Sequence, residues 1–110
     1  MVALAHPPQA VFDALVDPTR REILELLRPR RRTAGDIADH FPAISRPAVS
    51  QHLRVLLGAR LVTQRAEGRR RVYDLNPTAL RQVDRWLERY RVFWTDRLAA
   101  LKRLAERPGR

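Results

Sequence analysis

Residues 77 to about 106 commit to one uninterrupted helix, and that element limits what the rest of a 110-residue chain can build. Leu80, Val83, Leu87, Tyr90, Trp94, Leu98 and Leu101 recur at intervals of three and four, as in a coiled-coil seam. Trp86 and Phe93 widen the stripe. Asn76-Pro77 marks its start: a capping residue precedes a proline at the first helical position, where a missing N–H costs nothing. At about 1.5 Å per residue the helix runs roughly 45 Å. A domain of this length buries one modest core, so the stripe needs further cover. A short helix over about 9–15, carrying Phe12, and the long helix of a second copy would supply it. We therefore expect a single domain over 1–110 with dimerisation helices at both ends and a homodimer in solution. Phe12, Leu80, Val83, Leu87, Tyr90, Trp94, Leu98 and Leu101 would form its interface. Trp86, Tyr90, Phe93 and Trp94 also allow a pocket for a small apolar ligand at that seam, although aromatics at helical spacing are more often core.

The other helices are marked by their caps. Asp17-Pro18 repeats the Asn76-Pro77 device, and Ile23, Leu24 and Leu27 make the apolar face that follows. Pro29 and the run Arg30-Arg31-Arg32 end it. Thr33 with Asp36 resembles a capping box with Asp in place of Glu, opening a short helix from Ala34 to about His40. Ser45 caps the next, which runs to about Leu57. The period then changes. LVTQRAEGRRRVYDL reads as two strands, Leu61 to Ala66 and Arg70 to Leu75, around a turn carrying Gly68. The expected fold class is mainly α, with about five helices and a two-stranded β hairpin.

Within that frame, the stretch ISRPAVSQHLRVL has two unlike faces. Val49, Leu53, Leu56 and Leu57 share one side, while Pro47, Gln51, Arg54 and Gly58 share the other. Ala48 and Ser50 flank the polar side, and Arg46 sits at the open N-terminal end. Small side chains allow close approach to a major groove, and Arg and Gln pair best with guanine and adenine. Base contacts are therefore expected from Arg46, Pro47, Gln51 and Arg54. Ser45, Ser50 and the free amides at the helix start would meet phosphate, and His52 would either meet phosphate or make a polar contact that holds the helix. The short helix before it, joined by the tight FPAI turn, completes a helix-turn-helix with this helix as reader. The hairpin adds Arg65, Arg69, Arg70 and Arg71 near one turn, where a β wing can follow the backbone or enter a narrow minor groove. The plainer alternative for both features is a solvated polar surface.

Charge favours the first reading. Formal net charge is +10, and all but one of the 22 basic residues, Lys102, are Arg. Such a domain usually meets a polyanion, and the planar guanidinium suits phosphate and guanine edges. A GC-rich coding sequence would produce the same Arg bias. The chain has no cysteine, which removes disulfides and thiolate metal sites. No apolar run approaches the roughly 18 residues of a membrane span. MVALAHPPQA lacks the basic and apolar regions of a signal peptide, so a cytoplasmic protein is expected. Catalysis is not expected, because no nucleophile, glycine-rich phosphate loop or His–carboxylate pair stands out. Membrane-surface binding would need charges along one amphipathic face, and here they gather at the reader and the hairpin. RNA binding usually shows exposed aromatics for stacking, and here these follow the long helix's stripe.

With these residues laid out, the chain resembles the ArsR/SmtB family of winged helix-turn-helix transcriptional regulators. The likeness spans LVDPTRREILELL, GDIADHFPAISRPAVSQHLRVL and LVTQRAEGRRRVYDLNP, and is most specific where DPTRREIL and SRPAVSQHL occur together. It implies a homodimeric repressor that binds an inverted-repeat operator and releases it on a signal, either a small ligand or a protein partner. Ser45, Arg46, Pro47, Ser50, Gln51 and His52 match the family's reading helix. Two departures stand out. The family commonly has Ala-Gly-Leu before the first wing strand, and here the residues are Ala59-Arg60-Leu61. Many members also sense metal through a Cys pair or through Asp and His ligands on the long helices. Here the first set has no thiol, and no His follows His52. His6, His40 and His52 are scattered, so neither a metal site nor a cofactor is expected.

Overall fold

Four of the five helices begin on a side-chain cap. The computed structural model describes residues 7–107, so His6 lies outside the described residues. The elements are α1 (Gln9–Val16), α2 (Pro18–Leu27), β1 (Arg32–Thr33), α3 (Ala34–Asp39), α4 (Arg46–Gly58), β2 (Val62–Glu67), β3 (Arg70–Leu75) and α5 (Pro77–Ala105). Asp17 accepts from the Arg20 amide at 3.1 Å, and Thr33 from the Asp36 amide at 3.1 Å. Ser45 accepts from Ala48 and Asn76 from Thr78, both at 3.2 Å. Each cap satisfies an amide that the helix itself leaves without a partner. The helix-turn-helix and wing expected from the sequence are both present.

One core ties the elements together. Ile23 and Leu27 of α2, Ile37 of α3, Val49, Leu53 and Leu56 of α4, and Leu61, Val62 and Tyr73 of the wing region are all buried. Val11 and Ala14 of α1 and Ala79 of α5 complete it from the other side. The wing is larger than a hairpin: β1 joins it, giving a three-stranded antiparallel sheet in the order β1-β3-β2. Arg32 pairs with Tyr73 and Thr33 with Val72. Two residues are too few to show a strand period, and Thr33 also serves as the cap of α3, which is why the sequence showed only the cap. At the tip, Glu67 pairs with Arg70, leaving Gly68 and Arg69 as a two-residue turn. Gly68 has φ 64°, a positive φ at the first central position, which only glycine adopts cheaply.

The end of α4 resolves the missing glycine. Arg60 takes the left-handed conformation itself, with φ 60°. Its amide donates to the Leu57 carbonyl and the Leu61 amide to the Leu56 carbonyl, both at 3.0 Å. That pair of bonds is a Schellman ending, and Leu56 and Leu61, both fully buried, supply its hydrophobic contact. Leu61 is thereby spent on the helix end, and β2 starts one residue later than the hydrophobic pattern implies. Gly58, two residues earlier, stays helical.

α5 leaves the body. Its first turns pack through Ala79 and Val83, but Leu98, Leu101 and Leu104 are each about 60% exposed. The radius of gyration is 19.0 Å, against about 13 Å for a compact chain of this length. The excess is the projecting helix. Because the left-handed backbone at residue 60 costs an L side chain about 1–2 kcal/mol, Arg60→Gly should raise stability. After the entropy of glycine in the unfolded chain is set against it, a gain of about 0.5–1 kcal/mol is expected in urea unfolding.

Candidate nucleic-acid interface

α4 is held by its inner side alone. Val49 and Leu53 are 2% exposed and Leu56 is fully buried, while Ser45, Arg46, Pro47, Ser50, Gln51 and Arg54 are all exposed. The structure thus gathers six of the residues expected at DNA onto one open surface. Their side chains are partly preset. Arg46 Nη2 donates to Asp39 Oδ1 of α3 at 3.1 Å, across an open surface. Arg54 Nη1 donates to Gln51 Oε1 at 3.0 Å. A guanidinium has no acceptor, so the Gln51 oxygen must face Arg54 and its amide hydrogens point away. Ser45 accepts the Ala48 amide yet keeps its hydroxyl proton to donate.

The wing divides its arginines by alternation. Arg65 shares a sheet face with Val72 and Arg70, whereas Arg71 lies opposite Ala66 on the other face. Arg65 is paired with Glu67 at 2.6 Å, and Glu67 also meets Arg31 at 3.9 Å. Arg69, Arg70 and Arg71 line an open cleft whose far wall is Thr33, Gly35 and Asp36 at the start of α3. Basic side chains of the wing therefore face the helix-turn-helix across a gap.

His52 lies elsewhere. It stands on the flank of α4 toward α2, with its side chain 21% exposed. Its Nδ1 is 3.2 Å from Arg20 Nη1 and 3.8 Å from Asp17 Oδ2. Arg20 also reaches back to α1: Nε donates to the Ala14 carbonyl at 2.8 Å and Nη2 to the Asp13 carbonyl at 3.1 Å. Arg21 Nη1 donates to the Leu15 and Val16 carbonyls at 2.7 and 2.9 Å. Those four are the last carbonyls of α1, the ones its own hydrogen bonds leave open. In the sequence DPTRR marked a helix start and part of the family likeness, and not these contacts. Two arginines directly after a short helix, where cations favour its C-terminus, were the available signal.

The Asp17 carboxyl is held below its ordinary value, chiefly by the Arg20 amide that it caps. Partial desolvation opposes this, and the charges of His52 and Arg20 with the Thr19 amide add to the lowering. Among the described residues no group of three or more His, Cys, Asp or Glu side chains is placed to hold a metal ion. His40 Nδ1 contacts the Asp36 carbonyl of its own turn at 3.1 Å. No described helix is long and apolar enough to cross a membrane.

Two short helices, the second bared on its outer face and followed by a basic wing, define a winged helix-turn-helix DNA-binding protein. The comparisons agree. Residues 15–65 match the family described as helix-turn-helix domain. An HTH-type transcriptional regulator of Mycobacterium tuberculosis, Rv2034, is 45% identical over 102 residues, 93% of this chain and 92% of its own. Transcriptional repressor SdpR of Bacillus subtilis is 46% identical over 77 residues, 70% of this chain and 84% of its own. The solved structure of an ArsR-like transcriptional regulator from Rhodococcus sp. RHA1 superposes with a TM-score of 0.71 at 38% identity, covering 92% of each chain. The chain belongs to the ArsR family of winged helix-turn-helix transcriptional regulators, which act by binding DNA and are not enzymes.

A depressed carboxylate stabilises the fold above its ordinary range and stops doing so as pH falls through its folded value. Asp17→Ala should therefore cost about 1 kcal/mol at neutral pH. The difference from wild type should shrink in urea titrations carried below about pH 4, where the wild-type carboxylate takes up its proton.

Proposed function

We propose that the protein is a homodimeric repressor that acts in the cytoplasm on an inverted-repeat operator. In this reading α4 enters the major groove and the wing follows the backbone. The observation that carries it is the outer face of α4: exposed, free of core side chains, and furnished with Arg46, Gln51 and Arg54 in a protein of net charge +10. Ser45 and Ser50 border that face and suit phosphate, as do Arg69, Arg70 and Arg71 beside the α3 cleft. Arg65 reaches phosphate after exchanging Glu67 for it.

The dimer reading rests on α5. Leu80, Tyr90, Trp94, Leu98 and Leu101 are exposed along one stripe, a larger contiguous apolar surface than a monomer usually leaves in water. Val83 and Leu87 are already half-covered by the body. Phe12 packs edge-on against Trp86 of the same chain, with centroids 5.3 Å apart, and so props α1 against the start of the stripe. Pairing two such helices would set two copies of α4 about one duplex turn apart, roughly 34 Å. The chain has no cysteine, which supports a release signal other than thiolate-bound metal.

Selection from a random-sequence duplex pool tests the reading and should recover an inverted repeat. On that duplex, Gln51→Ala should cost about 1–3 kcal/mol and relax preference at particular base pairs. If Gln51→Ala leaves preference intact, α4 is not the reader. Arg70→Ala should instead weaken all duplexes alike and flatten the salt slope by about one unit. Trp94→Asp should sediment as a monomer; an intact dimer would move the interface away from α5.

A further inference from the structure

The motif DPTRR does more than start a helix. Arg20 is the one side chain in the described structure that bonds to the end of α1, and at the same time to a residue of α4. Its guanidinium donates on all sides and accepts nowhere. The contact then needs the Nδ1 lone pair of His52 as its acceptor, the tautomer that carries the ring proton on Nε2. The charged groups on the elements around this ring have partners of their own. α1 brings Asp13, whose carboxylate accepts from Gln9 at 3.0 Å. α2 brings Asp17, pinned as a cap, and Arg20 itself. Asp39 of α3 is paired with Arg46, Arg65 of β2 with Glu67, and Arg54 on α4 is turned to Gln51.

We propose that Arg20 is a positioning residue for operator recognition. Its guanidinium fastens the reader helix α4 to the end of α1 through the Nδ1 lone pair of His52. The proposal rests on the reading that α4 contacts bases. A physical line runs from Trp86 of α5 to Phe12 of α1, through the α1 carbonyls to Arg20, and on to His52. Base readout needs two copies of α4 held at one spacing and tilt, whereas phosphate contacts tolerate misalignment.

The test has a DNA-free arm and a DNA arm. In the DNA-free arm, long-range proton–nitrogen spectra of the full chain should show His52 with its proton on Nε2 at neutral pH. A proton on Nδ1 overturns the proposal. This result does not depend on whether α4 reads bases, so its failure and a failed duplex selection are distinguishable. In the DNA arm, the duplex selected by wild type is compared with a scrambled duplex. Arg20→Lys and His52→Ala should each lose about tenfold on the selected duplex and less than about twofold on the scrambled one. His52→Asn places an amide oxygen where Nδ1 stands, so it should recover most of the His52→Ala loss. Equal losses on both duplexes, or no recovery of the His52→Ala loss in His52→Asn, would overturn the proposal. Thermal melts of each variant separate unfolding from release, because His52→Asn leaves the α1 caps untouched.

Discussion

A helix that offers one whole face to a partner has to be gripped entirely by the other, and the structure is organised around that grip on α4. Val49, Leu53 and Leu56 are nearly or fully removed from solvent. Burial of such side chains stabilises a fold by about 1.5–3 kcal/mol each. Both ends are fastened as well. Ser45 caps the first turn, and the Schellman bonds at Leu57 and Leu56 close the last. In the proposed binding mode the helix would arrive at a groove with its backbone already in place, so binding would order only side chains.

The arginines are not one population. Net charge +10 suggests a coat made for a polyanion, yet several arginines serve the fold. Arg20 and Arg21 close the end of α1, and Arg32 donates to the Leu26 carbonyl near the end of α2 at 2.8 Å. Arg97 lies over the Phe93 ring, 4.5 Å from its centroid. Cations at helix C-termini and over aromatic faces are favourable without any partner. In the proposed binding mode, the arginines left for DNA are those on the outer face of α4 and around the wing turn. Even these are lightly restrained, Arg46 by Asp39 and Arg65 by Glu67. Exposed pairs of this kind are weak and exchange readily for phosphate.

The projecting α5 and the compact body follow different rules. The body closes a core around α2, α4 and the wing, with α1 and the start of α5 as its edge. The last turns of α5, with Leu98, Leu101 and Leu104 largely exposed, stand clear of the described body. The aromatic step of Phe12, Trp86 and Tyr90, with centroids 5.3 and 5.4 Å apart, is where the two regimes meet. Motion of α5 against the body would be felt there first, next to the α1 end that Arg20 holds.

Much of the fold was legible along the chain because its signals are local. Asp17, Thr33, Ser45 and Asn76 act on amides two or three residues away, so spacing alone revealed four helix starts. The two faces of α4 and the stripe of α5 follow from helical period in the same way. What spacing cannot carry is contact between distant residues. β1 exists only because Val72 and Tyr73 come back beside Arg32 and Thr33. Spacing left His52 as either a support for the helix or a phosphate contact, and folding placed it, 32 positions away in sequence, against Arg20. Arg60 shows the boundary between the two: the sequence marked the missing glycine, and the buried Leu56–Leu61 contact decided that the strain would be borne there. By itself the sequence determined the helices, the bare face of the reader and the unpaired stripe. Only the tertiary structure decided how the reader is tied to the rest, because that tie joins groups whose partners are chosen by packing.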